Sequence, residues 1–312
     1  MAELTNDFSW SVSRDQMFRS CQRAYYYHYY ASWGGWSDDA SEQTRKLYTL
    51  KNMKTLEMWA GSVVHETIAE ALRRYAHDQS EIRTGELQAR ARSKLRKGWM
   101  EAVNREWIRQ PKKNNLQELY YGNGKSLPKE KTDAVREIVY GSLQTFTESD
   151  VLQEILAAPQ MSWKPVDQLD TFELNGTKVW CAIDFAFTDP AGRLTIIDWK
   201  TGKKESDAIR EQLACYAYFA CDKWQVSCEN MRLLGVFLQH DPAPKWYNLT
   251  EADLFEAQNA ILESAAAMRT KLADVENNTP QPESAFPTID NERVCRKCKF
   301  REVCPQMNGA ET

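Results

Sequence analysis

Residues 178–200 run KVWCAIDFAFTDPAGRLTIIDWK. Residues 178–188 and 194–200 each read as a strand, and Asp189, Pro190 and Gly192 between the two runs favour a turn, so the stretch reads as a β-hairpin. Successive strand side chains point to opposite faces, which puts Asp198 and Lys200 on one face with Cα atoms about 7 Å apart. Asp184 falls near the end of the neighbouring strand, so two carboxylates converge in an otherwise apolar sheet. Carboxylates held this close repel unless a cation separates them, and hard oxygen donors select Mg2+ or Mn2+. A lysine beside such an ion orients a water or neutralises charge developing on a phosphate. An isolated Asp-x-Lys is more often an ordinary ion pair at a strand end; the neighbouring motifs decide between the two.

Downstream, residues 206–220 have a helical pattern that carries Gln212 and Tyr216, four apart and hence on one face. Strand-like segments follow at 232–239 and 245–249, then a helix over 251–275. Upstream, apolar residues recur at helical spacing over 56–76, and further helical stretches lie at 84–109 and 129–157. Residues 31–52 look like a loop, and 10–30 an aromatic-rich helix opened by capping residues. Gly61-Ser62-Val63-Val64-His65 sets an imidazole on an otherwise apolar helix. Taken singly, a helical histidine is usually a satisfied core residue, and a Gln/Tyr pair at this spacing is usually packing. The order of helices, hairpin, helix and strands predicts an α/β fold with a mixed sheet.

Together and in this order, His65, Asp184, Asp198, Lys200, Gln212 and Tyr216 resemble the PD-(D/E)XK nuclease superfamily, specifically its RecB-type nuclease domains. The resemblance implies a restriction-endonuclease-like core with a large helical insertion. It implies Mg2+ or Mn2+ held by His65, Asp184 and Asp198, with catalysis carried by Lys200, Asp184 and Asp198 and supported by Gln212 and Tyr216. Cys181 departs from the family pattern, which commonly has glycine three residues before the first aspartate.

Cys295, Cys298 and Cys304 lie close together near the C-terminus, and Cys21 lies in the aromatic N-terminal segment. Four thiolates can close a tetrahedral zinc site or a 4Fe-4S cluster. One distant cysteine with three near the end looks like the iron-sulfur subset of the family, similar to AddB-type and CRISPR-associated nucleases. That likeness implies a cluster ligated by Cys21, Cys295, Cys298 and Cys304, which staples the two ends of the chain together. The other four, Cys181, Cys215, Cys221 and Cys228, fit no such spacing and are expected to be buried apolar thiols.

A net charge of −4 over 312 residues argues against a protein that coats nucleic acid by bulk charge. Local balance differs: residues 83–113 hold ten Lys/Arg against three Glu. This is either a solvated helix surface or, with Trp99 and Trp107 inside it, part of a single-strand path. Trp33 and Trp36 also lie near polar residues. The segment Gly122-Asn123-Gly124-Lys125-Ser126 hints at a phosphate loop, but Leu119 stands where its first glycine belongs.

No apolar run approaches the length of a spanning helix, and residues 1–10 lack a basic-then-apolar leader, so a cytoplasmic protein with no membrane partner is expected. The expected organisation is one nuclease domain over 1–312. Within it, 8–30 and 290–306 form the cluster segments, 55–160 the helical region and 170–250 the catalytic sheet. The expected function is a metal-dependent DNA nuclease of repair, recombination or defence, acting on single strands or duplex ends, with DNA as partner and any helicase a separate chain. The alternatives are a noncatalytic DNA-binding or scaffold subunit and a CRISPR spacer-processing nuclease.

Overall fold

The structure is a computed structural model that describes residues 5–122, 124, 126–202, 207–239 and 245–308. Ser206, the expected first residue of a helix, and Asn123 and Lys125 of the phosphate-loop-like segment lie outside the described residues.

The chain begins with α1 (Val12–Ser20) and α2 (Gln22–Tyr26), which runs into a π-helical turn at Tyr27–Ala31. Cys21 separates them in an extended conformation, so the expected single helix over 10–30 is broken there. The expected loop over 31–52 instead contains α3 (Glu42–Lys51), whose Ser41 side chain accepts the Thr44 N–H as an N-cap. Then come α4 (Leu56–Asp78), α5 (Thr84–Val103), the short α6 (Gln117–Tyr120), α7 (Lys129–Glu148) and α8 (Asp150–Ala157). Ser149 interrupts the expected 129–157 helix because its hydroxyl accepts the Leu152 N–H and starts a new one.

Two hairpin strands follow, β1 (Gln168–Leu174) and β2 (Thr177–Ile183), paired antiparallel. A four-stranded sheet comprises β3 (Phe185–Thr188), β4 (Leu194–Lys200), β5 (Met231–Phe237) and β6 (Lys245–Tyr247). In it β3 pairs antiparallel with β4, β4 runs parallel to β5, and β6 returns antiparallel, so the sheet is mixed as expected. The expected strand over 178–188 is divided at Asp184, where pairing passes from β1 to β4. A parallel pair needs a crossover, and α9 (Asp207–Trp224) supplies it between β4 and β5. The chain continues through α10 (Glu251–Arg269), the small hairpin β7 (Leu272–Asp274) and β8 (Thr279–Pro280), α11 (Glu292–Lys297) and α12 (Pro305–Asn308). The expected 251–275 helix therefore stops six residues early.

Alternation along β4 sorts its side chains between two helical layers. Ile197 and Trp199 join a core with α4, α5 and α7, whereas Leu194 and Ile196 join a core with α1, α9 and α10. Trp199 is fully buried with its ring 5.3 Å from that of Phe146 on α7, an arrangement in which the side chain contributes about 3 kcal/mol by burial. The sheet thus lies between two helical layers. The chain ends also meet: Arg23 donates to the Phe286 carbonyl at 2.8 Å and pairs with Glu283 at 2.6 Å, while the Tyr27 ring lies tilted against Phe300 at 5.6 Å. No helix among the described residues is long and apolar enough to cross a membrane.

Candidate active site

At the C-terminal end of β4 the register puts Asp198 beside Gly235 of β5. A Cβ at Gly235 would stand 2.6 Å from Ile209 of α9 and 3.2 Å from the Tyr247 ring, so glycine there lets α9 settle directly over the strand end. The helix then brings two polar side chains to β4. Gln212 accepts a hydrogen bond from Lys200 Nζ at 2.8 Å through Oε1 and donates to the Tyr216 hydroxyl at 2.5 Å through Nε2. The Tyr216 hydroxyl donates in turn to Asp198 Oδ1 at 3.4 Å. Lys200 Nζ closes the ring by lying 2.7 Å from Asp198 Oδ2.

The other half of the site comes from the bend between β2 and β3. Ladder pairing of β3 with β4 reaches Phe185 and Ile197, and beyond it the Trp199 N–H loses its strand partner. Asp184 replaces that partner, accepting the Trp199 N–H at 2.8 Å through Oδ2. Its Oδ1 lies 3.1 Å from His65 Nδ1 on α4. Gly61, one turn before His65, explains the close approach of this helix: a Cβ there would meet Thr201 Oγ1 at 2.9 Å. Asp167, which no motif marks, stands against the same bend, its backbone N–H donating to the Asp184 carbonyl at 3.1 Å. Arg73 lies 3.7 Å from its carboxylate.

Charge and burial act together here. Asp198 is 1% exposed, and burial, followed by the nearby Asp184 charge, pushes its pKa up to about 6 despite Lys200 and His65. Burial opposes protonation of His65, but the facing Asp184 carboxylate outweighs it and the imidazole pKa is raised. Burial likewise holds the Tyr216 phenol well above its ordinary value, so it remains a hydroxyl donor. Asp167 is raised too, first by partial burial and then by the Asp184 charge.

The structure therefore brings together all six residues expected at the site. Among the described residues, however, no three His, Cys, Asp or Glu side chains surround one point closely enough to hold a single metal ion. Asp184 is satisfied internally by His65 and a backbone N–H, and Asp198 Oδ1 by the Tyr216 hydroxyl. The donor set still fits a divalent cation. Two carboxylates and an imidazole from three separate elements face one another within electrostatic reach. Asp198 Oδ2 is buried and lies beside the Lys200 ammonium without a hydrogen-bond alignment, leaving it a lone pair to give.

At the chain ends, Cys21, Cys295, Cys298 and Cys304 line one small cavity, together with Arg23 and Arg301. None is in a disulfide. Burial, with the neighbouring Cys21, Cys304 and Cys295 as smaller contributors, pushes the Cys298 thiol up to about 11. Of the remaining cysteines, Cys181 and Cys215 are buried as expected. Cys221 and Cys228 are only half-buried, a correction that follows from their places at the end of α9 and in the turn after it.

A family model of the PD-(D/E)XK nuclease superfamily matches residues 9–305. No curated protein matches the chain. Among solved structures, the one titled "Crystal structure of SSO0001" is 16% identical, with 68% of this chain and 81% of that chain covered and a TM-score of 0.31.

Proposed function

The chain belongs to the PD-(D/E)XK nuclease superfamily, and on that premise we propose that it is a metal-dependent deoxyribonuclease acting on single strands or duplex ends. The observation that carries this is the closed set Asp198–Lys200–Gln212–Tyr216 beside His65–Asp184 at the C-terminal end of β4. His65, Asp184 and Asp198 would hold Mg2+ or Mn2+. Once bound, such an ion polarises a phosphate oxygen and acidifies a water.

The chain's own groups account for the rest. Lys200, fixed by Gln212, keeps its ammonium beside Asp198, where it orients the attacking water and offsets charge gathering on the phosphorus oxygens. Tyr216 holds the Gln212 amide and one Asp198 oxygen, so the lysine and the acid stay aligned as the phosphate enters. Burial of Asp198 keeps water from screening these charges. A noncatalytic relative typically loses a ligand or the lysine, and neither is missing here.

We further propose that Cys21, Cys295, Cys298 and Cys304 ligate a 4Fe-4S cluster of the kind found in the iron-sulfur subset of RecB-type domains. All four line one cavity, and a cluster takes each thiolate on a different iron. Arg23 and Arg301 beside them would balance thiolate charge.

Incubation of end-labelled linear and circular single-stranded DNA with Mg2+ or Mn2+ tests the function. The proposal expects the linear strand to be degraded from an end and the circle spared. A chain that leaves both intact with either ion is not a nuclease.

A further inference from the structure

Two cavities lie next to each other on the helical layer, beyond the carboxylates. The first is an open groove of about 720 Å3 between α4 and α5. Its floor includes Ser62 and Glu66, which flank His65 on α4. Five lysines line it, Lys54, Lys94, Lys97, Lys112 and Lys113, against two acids, Glu66 and Glu101. Lys94 and Lys113 are partly engaged by carboxylates. Lys97 and Lys112 are exposed, and among the described residues neither has a carboxylate at ion-pair distance. The second, an open hollow, shares Lys112 with the first and adds Arg45, Arg109, Tyr48 and Trp36 against one acid, Asp38, with Arg45 partly engaged by backbone carbonyls of Ser37, Asp38 and Ala40. The Trp36 side chain is 42% exposed, propped edge-on by Trp33 at 4.9 Å and by Tyr48 at 5.6 Å.

We propose that the two cavities form one track for a single strand of nucleic acid, with phosphates over the lysine groove and an unpaired base stacked on Trp36. This rests on the nuclease reading of the site that the track adjoins. The excess of ammonium groups in the groove matches a phosphate backbone, whose neutralisation releases counterions. A rigid, exposed indole beside two arginines and a lysine matches a base with a free face. A duplex hides such faces in its own stack, so the occupant is single-stranded. Because the groove floor and His65 share α4, a strand seated on the lysines leads its backbone toward the carboxylates. The basic stretch over 83–113 thus does more than solvate a helix: Lys97, Arg109 and Lys112 lie along the track, while Arg90 is spent on Glu86 and faces elsewhere.

Fluorescence anisotropy of a 5′-labelled thymidine 20-mer, in chelator so that nothing is cut, measures the track over a range of salt concentrations. Lys97→Glu/Lys112→Glu is expected to weaken binding at least tenfold and to lower the log–log salt slope by about two. Trp36→Ala is expected to weaken it about tenfold without changing the slope. Lys97→Arg/Lys112→Arg is expected to bind like wild type, which guards against a fold defect as the cause. Unchanged affinity and slope in both weakened variants overturn the track, as does a duplex bound as tightly as the single strand and as sensitive to Trp36→Ala. Cleavage of the same 20-mer with Mn2+ separates the two proposals. A chain that cuts while its binding ignores the variants loses the track. A chain that binds with the expected slope but never cuts keeps the track and loses the nuclease assignment.

Discussion

His65 Nδ1 lies 3.1 Å from Asp184 Oδ1, and the second oxygen of that carboxylate takes the Trp199 N–H at 2.8 Å. One side chain therefore joins α4, the β2–β3 bend and β4, and it has both a structural and a chemical duty. The duties separate by substitution. Asp184→Asn keeps an oxygen for the Trp199 N–H while removing the charge, so it should melt within about 1 kcal/mol of wild type and cut DNA at least about 100-fold more slowly. Asp184→Ala should lose the activity and a further 1–3 kcal/mol or so, because a half-buried N–H is left without an acceptor. Thermal melts read beside cleavage rates check this; equal stability of the two variants would remove the structural duty.

Gly235 pairs with Asp198 across β4 and β5 and leaves its space to Ile209 and Tyr247. Gly235→Ala drives a methyl to 2.6 Å from the Ile209 Cδ1 atom, so α9 must lift or the isoleucine must change rotamer. A loss of about 1–3 kcal/mol is expected by overpacking. Cleavage should fall as well, since α9 carries Gln212 and Tyr216. Denaturant titration of this variant gives the first quantity, and a midpoint equal to wild type would contradict the packing.

His28 is packed among Tyr29, Phe300 and the charges of Lys299, Lys51 and Arg14, and its Nδ1 has no hydrogen-bond partner. Burial first, then those cations, push its pKa down to about 2. An unfolded chain takes up this proton near pH 6.5, the folded chain only near pH 2, so in that window the unfolded state binds the extra proton. Stability from this group is complete above about pH 6.5 and declines as pH falls below it. Relative to His28→Leu, wild type should lose about 2 kcal/mol between pH 7 and pH 5. Parallel urea titrations at the two pH values measure the difference, and a constant gap would refute the assignment.

For the cysteine cavity, anaerobically purified chain should carry about four irons with matching acid-labile sulfide. Cys298→Ser should lower the iron content and the melting temperature together, because ligation contributes to folding. Stoichiometric zinc without iron would replace the cluster by a tetrahedral site.

Much of this was legible along the chain. The turn residues Asp189, Pro190 and Gly192 set off the strand bearing Asp198 and Lys200, which is buried on both faces, and 3.6-residue spacing disclosed α4 and α9, because amphipathic burial of a helix writes its period directly into sequence. The six site residues were named from motif order. Other features depended on partners distant in sequence. The strand β1 was missed because residues 168–174 are mostly exposed and acquire their place only by pairing with β2. The helix α3 hid behind polar residues, since only Leu47, Tyr48 and Leu50 face inward. Nothing local marked Asp167, whose position follows from a backbone hydrogen bond to Asp184. The half-exposed state of Cys221 and Cys228 likewise depends on where α9 ends.

In the proposed nuclease, Lys200, held by Asp198 and Gln212, serves hydrolysis at this strand end. The most direct test compares initial rates of wild type and Lys200→Ala on end-labelled single-stranded DNA with Mn2+, with circular dichroism to establish equal folding. Wild type should cleave, and Lys200→Ala should be slower by about 100-fold or more, as loss of a positioned proton-transfer or charge-stabilising group requires. Equal rates, with both proteins folded, would contradict it.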